Sequence, residues 1–292
     1  MAVPTLRFGV DLSGDDPASD AQHAESLGFD VATFHGDVLQ GNRVALEAWT
    51  TMTWAAARTT TLRVSSNVLA MPNRHPAVLA KMAETLDRLS GGRLILAIGA
   101  GAAMNADAFR AFGLRWTTAG EAVDALEEAI DVMCGLWTQP ELTHTGRYFQ
   151  TTAAQLRPRP DRPIPIWLGA YGPRMLDLTG RRAEGWLPSM FLLPPEAAFR
   201  SMRRIREAAA AAGRDPDALT YGDNVSVAVD ESAASTPQRI AGGPAEVAAR
   251  LAELVGGGFN FVNLWPAGDP RVQRERLAGE VLPLVRDGTT AA

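Results

Sequence analysis

The sequence predicts an α/β fold, a (β/α)8 TIM barrel forming a single domain over residues 1–292, with a short insertion at about 138–163 before strand five. Three observations predict it. Short apolar or β-branched runs alternate with longer amphipathic stretches eight times, the pattern of parallel strands joined by crossover helices. Eight such units in 292 residues suit a closed barrel better than an open sheet. No glycine fingerprint follows strand one, where "GVDLSGDD" stands, so a doubly wound dinucleotide fold lacks its main sign.

The elements follow in order. "LRFGVDL" (6–12) is strand one, and "PASDAQHAESLG" a helix with Pro17 at its start and Gly28 beyond its end. "FDVATF" is strand two and "RVALEAWTTMTWAAAR" helix two. "TLRVSSNVL" is strand three, and "PAVLAKMAETLDRLS" a helix started by Pro76 and stopped by Gly91. "RLILAIG" is strand four, followed by a long helix from about Thr118 to Trp137. The connection 138–163 holds "THTGRYF" and the proline-rich "LRPRPDRPIP". "IPIWLGA" is strand five, "PRMLDLTGRRA" a helix and "EGWLPS" strand six. Next come a helix from Pro195 to Ala212, strand seven within "LTYGDNVSVAVD" and a helix in "GPAEVAARLAELVGGG". Strand eight is "FNFVNLW", and a closing helix runs from about Pro270 to Arg286.

Composition narrows the partners. A net charge of -5 offers no broad basic surface, which argues against nucleic acid and anionic membrane and leaves a small molecule as the expected partner. The single cysteine, Cys134, excludes an internal disulfide and a cysteine-based metal site, and its helical spacing marks it as a packing residue. No apolar run approaches the length of a membrane span, and "MAVPTLRFGVDL" lacks the layout of a signal peptide, so a cytoplasmic location is expected.

In such a barrel the active site is built from loops at the carboxyl ends of the strands. Residues 35–37, 65–74, 99–105, 170–174 and 186–189 fall there. Gly91 and Gly92 lie at the opposite end and are expected to close a helix in a left-handed turn. Gly99 and Gly101 sit at the catalytic end, where they either let a flat ligand approach the backbone or let the chain turn. In "GAYGPR" (169–174) Gly172 and Pro173 open a helix whose free N–H groups suit a phosphate, with Arg174 adding charge.

Of the four histidines, His23 is expected at the surface, His144 exposed in the turn of the insertion, and His75 tethering a loop. His35, two residues before Asp37 at the end of strand two, is the strongest acid–base candidate. No H-E-x-x-H spacing appears, so no metal is expected, and no G-x-S-x-G serine is present. Trp49, Trp54 and Trp116 read as core or inter-subunit filling, whereas Trp186 at the end of strand six is placed near the site.

At these residues the chain resembles the bacterial luciferase-like superfamily of flavin- and deazaflavin-dependent oxidoreductases. "NRHPAVLAKMAETLDRLSGGRLILAIGAG", "IPIWLGAYGPRMLDLTGRRAEGWLPS" and "AGGPAEVAARLAELVGGGFNFVNL" carry the resemblance over nearly the whole length. It implies a cofactor lying across the barrel mouth, its ring against a bulge at the end of strand three with a non-proline cis peptide at Asn67–Val68. It places Ala100, Gly101, Ala102 and Asn105 near the ring, and Ala170, Tyr171, Gly172, Pro173 and Arg174 at the phosphate-binding turn. The cofactor it implies is coenzyme F420, transferring a hydride between the deazaflavin C5 and a small organic substrate. FMN in a two-component monooxygenase supplied by a separate reductase is the alternative, and a non-catalytic flavin- or F420-binding protein a third reading. Members are often homodimers. Sugar-phosphate dehydrogenases of this family carry an Asp-His pair after strand two and a Glu after the strand-four glycines. Here Gly36-Asp37 and Ala102 stand there, which argues against a sugar-phosphate substrate and leaves His35 and Asp37 as the candidate catalytic residues.

Overall fold

The structure is a computed structural model that describes residues 5–12, 14, 16–35, 46–101, 106–114 and 118–290. Eight parallel strands close into a ring: β1 (Arg7–Asp11), β2 (Val31–Phe34), β3 (Arg63–Ser66), β5 (Leu94–Gly99), β8 (Ile166–Leu168), β9 (Gly185–Trp186), β10 (Thr220–Val229) and β12 (Phe261–Pro266). The ring closes where β9 pairs with β10 and β12 with β1. These are the eight expected strands, and the chain is a (β/α)8 barrel. Two short strands extend it: β4 (Leu69–Ala70) beside β5, and β11 (Ile240–Gly242) beside β10.

The interior is filled by size matching. Val31, Ile95, Ala97, Trp167, Leu187 and Phe261 form the inner cluster, with Val68 against it. Trp167 and Phe261 pack with ring centroids 5.0 Å apart. Glycines on neighbouring strands make room for them: a Cβ on Gly185 would fall 2.5 Å from the Trp167 ring, and one on Gly222 2.8 Å from Phe261.

The helices form the outer layer, and proline opens six of them: α1 (Pro17–Ser26), α3 (Pro76–Leu89), α6 (Pro173–Arg182), α7 (Pro195–Ala211), α8 (Pro244–Gly256) and α9 (Pro270–Arg276). The long helix α5 (Ala119–Thr138) starts with a reciprocal capping box between Thr118 and Glu121. As expected, Gly91 and Gly92 take positive φ, +70° and +87°, after α3.

Four features depart from expectation. Helix two, α2 (Ala48–Ala56), begins later than its apolar pattern suggests, because the Glu47 carboxylate caps the N–H groups of Trp49 and Thr50. A short α4 (Ala106–Ala111) follows strand four. The closing helix breaks into α9, a π-helical turn (Leu277–Val281) and α10 (Leu282–Thr290). The insertion contains an antiparallel hairpin, β6 (Leu142–Thr145) and β7 (Gln150–Ala154). Its turn is fixed to α5, where the Glu128 carboxylate accepts from the N–H groups of Arg147, Tyr148 and Phe149 at 2.9, 2.8 and 3.2 Å. Phe149 meets His75 edge-on at the start of α3, so the hairpin runs up the flank of the barrel. The proline-rich link behind it is held to α3, with Arg88 donating to the Arg159 carbonyl and pairing with Asp161.

Candidate active site

Strand parity decides what faces the mouth. Along β10 the interior positions include Gly222 and Asn224, and at the carboxyl ends of β1, β2, β3 and β12 stand Asp11, Thr33, His35, Asn67, Asn263 and Trp265. These side chains connect. His35 Nδ1 lies 2.9 Å from the Asp11 carboxylate. The Thr33 hydroxyl is 3.3 Å from Asp11 Oδ2 and 3.2 Å from Asn263 Oδ1, and accepts from Asn263 Nδ2 at 2.9 Å. Asn263 Nδ2 also donates to Asn224 Oδ1 at 2.7 Å. Asn224 Nδ2 donates to the Pro188 carbonyl at 2.7 Å and to Asn67 Oδ1 at 3.1 Å, and Asn67 Nδ2 returns a bond of 2.8 Å. A continuous polar chain therefore crosses the rim from strand two to strand three by way of strands one, eight and seven.

The electrostatics of His35 follow from its partner. An ionised carboxylate only accepts, so Nδ1 carries the hydrogen and Nε2 is the basic nitrogen of the neutral ring. The ring stacks on Trp265, with centroids 5.5 Å apart and planes at 27°. Trp265 Nε1 is buried and has no acceptor among the described residues. It is a donor at the rim beside the candidate acid–base group.

The Asn67–Val68 peptide bond is cis. The Val68 side chain packs into the barrel between strands four and five, where a Cβ on Gly99 or on Gly169 would each fall 3.1 Å from its Cγ2. The missing side chain of Gly99 thus makes room for Val68, while Gly101 is needed for a turn at φ +94° and is backed by Pro72 and Phe109.

At strand five the Ala170 side chain is fully buried and its carbonyl accepts from Trp186 Nε1 at 2.9 Å. Trp186 itself is 0 % exposed and stacks on Phe259, so it belongs to the core and not to the site. Tyr171 is 38 % exposed. Gly172 is the N-cap of α6 and Pro173 its first residue; no side chain caps this helix start, and the space where a Gly172 Cβ would stand is open. Arg174 pairs with Asp124 and donates to the Gly120 carbonyl at 3.2 Å, so its charge is already engaged on α5. Ala100 is partly buried against the core. Asp37, Ala102 and Asn105 lie outside the described residues, as do Gly36 and Trp116.

The remaining histidines differ from one another. His75 caps α3, accepting from the Ala77 N–H at 3.2 Å. His23, expected at the surface, is largely covered, with Nε2 3.2 Å from Glu275, because α9 packs across α1. His144 is half-buried and its Nε2 is enclosed, since the hairpin turn folds back over it. Among the described residues no cluster of His, Cys, Asp and Glu fits a metal ion. Sequence reasoning missed Asp11, Thr33, Asn224, Asn263 and Trp265.

A parallel barrel with a polar rim, a histidine–aspartate couple and an open helix start defines a small-molecule site of the kind that (β/α)8 enzymes build at their strand ends. The family is given by comparison: residues 18–240 match the model of the luciferase-like monooxygenases, and the chain belongs to that family. It is 32 % identical over 231 residues to the F420-dependent glucose-6-phosphate dehydrogenase of Nakamurella multipartita, an alignment covering 75 % of this chain and 66 % of that enzyme. The match thus spans just under two thirds of this relative's length. Among solved structures, an F420-dependent secondary alcohol dehydrogenase in complex with an F420–acetone adduct superposes with a TM-score of 0.86 at 22 % identity, covering 97 % of this chain and 100 % of that one. The coenzyme F420-dependent tetrahydromethanopterin reductase of Methanopyrus kandleri follows at 0.82 and 22 %, covering 96 % and 99 %. At those identities the likeness is one of fold.

Proposed function

We propose that the chain is an oxidoreductase dependent on coenzyme F420 that moves a hydride between the deazaflavin and a small organic substrate. The observation that carries the reading is the His35–Asp11 couple on the rim, 2.9 Å apart, in a chain related to an F420-dependent dehydrogenase. The rim residues fit such a cofactor: the uncapped start of α6 suits an anionic side chain, and the orphaned Trp265 N–H offers a donor beside His35. When bound, F420 supplies a two-electron hydride carrier at its C5 carbon.

The residues of the chain supply the rest. Reduction of a carbonyl, or oxidation of an alcohol, also moves a proton on oxygen, and His35 exchanges it through Nε2 while Asp11 holds the ring and balances its charge. Asn67, Asn263 and Asn224 hold the bulge in place through the hydrogen bonds that join them. The Nakamurella enzyme's sugar phosphate is not carried over, since Gly36-Asp37 and Ala102 replace the acid–base set expected for it.

The test is titration of the purified chain with F420 and FMN separately, followed by turnover of reduced F420 against small ketones and aldehydes and of oxidised F420 against the matching alcohols. Micromolar binding of F420 with turnover of one such class is expected; binding of FMN alone, or of neither, refutes the proposal.

A homodimer belongs to the same reading. It is supported by the outer side of α2, where Leu46 and Trp54 are 52 % and 58 % exposed. They border a groove of about 750 Å³ lined from α1 and α2 rather than by the strand ends of the barrel. Light scattering of the wild type and Trp54→Glu checks it, with a monomeric variant as the expected result. No helix among the described residues is long and apolar enough to cross a membrane, and the proposed location is the cytoplasm, with a separate enzyme restoring the redox state of the cofactor.

A further inference from the structure

The amino-terminal floor of the barrel carries charges that the rim chemistry does not use. Gly9 faces the interior, since a Cβ there would meet the Phe261 ring at 2.6 Å, and Arg7 lies two residues earlier on the same face. Arg63 pairs in register with Val31 of the inner cluster and so shares the interior face. Thr220 precedes the interior position Gly222 by two residues. Arg7 Nη2 donates to Thr220 Oγ1 at 3.1 Å, and its guanidinium carbon lies 6.0 Å from the Trp167 ring centroid. Strands one, three, five and seven of the barrel thus contribute Arg7, Arg63, Trp167 and Thr220, the alternate-strand set that makes one layer of such a barrel.

That layer is ordinarily aliphatic; here two of its four members are guanidiniums. Both are half-buried, and Arg63 Nε is enclosed without a hydrogen-bond partner. Among the described residues neither arginine forms an ion pair. The nearby carboxylates are committed elsewhere: Asp30 accepts from the Phe8 N–H at 2.8 Å and lies 3.9 Å from Arg286, and Asp87 pairs with Arg162 at 3.2 Å. The carboxylates nearest Arg7 and Arg63 are thus already engaged by other groups, in a protein whose overall charge is negative. Burial and the like charges of Arg7 and Arg162, opposed by the attraction of Asp87, hold the Arg63 guanidinium below its ordinary pKa. Half-buried cations that no carboxylate contacts directly are unfavourable, and a guanidinium fork matches a tetrahedral oxyanion.

We propose that the floor binds a small tetrahedral oxyanion, inorganic phosphate or sulfate, between Arg7 and Arg63, at the opposite end of the barrel from the redox site. The test is thermal unfolding of the full chain in sodium phosphate and, separately, in sodium sulfate, each against sodium chloride at matched ionic strength. A saturable rise of about 3 °C in the unfolding midpoint is expected with at least one oxyanion. It should vanish in Arg63→Gln and persist in Arg174→Gln, which alters only the rim. A rise with phosphate alone, with sulfate alone or with both supports the site and names its ligand. If Arg63→Gln does not fold, Arg7→Gln and equilibrium dialysis of the wild type with radiolabelled phosphate and sulfate replace it. No rise with either oxyanion, or an equal rise in the floor variants, overturns the proposal.

Discussion

Asn67 and Asn224 face each other across the barrel mouth and exchange two amide hydrogen bonds, of 2.8 and 3.1 Å. The pair ties the cis peptide bulge of strand three to strand seven, two strands that are not neighbours in the ring. Asn224 is also bonded to Asn263 and to the Pro188 carbonyl, so it is the junction of the rim. Asn224→Ala would remove the side-chain hydrogen bonds to Asn67, Asn263, the Pro188 carbonyl and the Ser189 hydroxyl at once. It is expected to destabilise the protein by about 3 kcal/mol, measured by urea unfolding, and to weaken cofactor binding.

The His35–Asp11 couple predicts a graded loss of turnover. His35→Gln should lower kcat by roughly 10² to 10⁴, the usual contribution of a positioned acid–base group, with little change in the melting midpoint. Asp11→Asn should retain part of the activity and shift the pH profile of kcat, because the ring keeps its place but loses its counter-charge. Equal pH profiles for wild type and Asp11→Asn would refute this role.

Asp223 gives a pH prediction. One residue before Asn224, it turns toward the helical layer, 0 % exposed, and neither carboxylate oxygen has a hydrogen-bond partner among the described residues. Burial pushes its pKa well above the ordinary value of 3.8. The folded state therefore holds a proton that the unfolded chain has released, and stability falls as pH rises from the unfolded value through the folded one. Asp223→Asn removes this dependence. Its unfolding free energy should decline less than that of the wild type as pH rises from about 4, the unfolded carboxylate value, toward neutrality, as read from urea curves at a series of pH values; parallel declines would contradict it.

Gly185 is a steric prediction. Its Cβ would fall 2.5 Å from the Trp167 indole, so Gly185→Ala must displace the inner layer and should cost about 2 kcal/mol in chemical denaturation. Gly256, in the last turn of α8 with open space around it, is the control, and Gly256→Ala should stabilise by about 0.5 kcal/mol.

The ring of strands was legible because hydrophobic runs of strand length recur between helices that announce themselves with proline: Pro76, Pro173 and Pro244 each stand at a helix start. What hid was anything set by three-dimensional proximity. Asp11 and Asn263 are isolated polar residues in apolar runs and Asn224 sits beside Asp223, all far apart in sequence, and only the closing of the barrel brings them together. One signal was present and went unused, since a polar residue at an interior position near the carboxyl end of a barrel strand has nowhere to point but the mouth. Trp186 was misplaced by the same omission: it ends a strand but alternates to the outer face, against Phe259. Arg174 is legible as a charge near a helix start, but not its partner Asp124, fifty residues away on a neighbouring helix.

Val68 has a consequence for how this scaffold acquires new substrates. Wedged between Gly99 and Gly169, it fills the space beneath the bulge, and on the proposed function it would be the stopper that sets how deep a guest descends. A bulkier substrate has to spread sideways over the rim, so selectivity can drift through changes in the overlying loops while the strands beneath stay as they are.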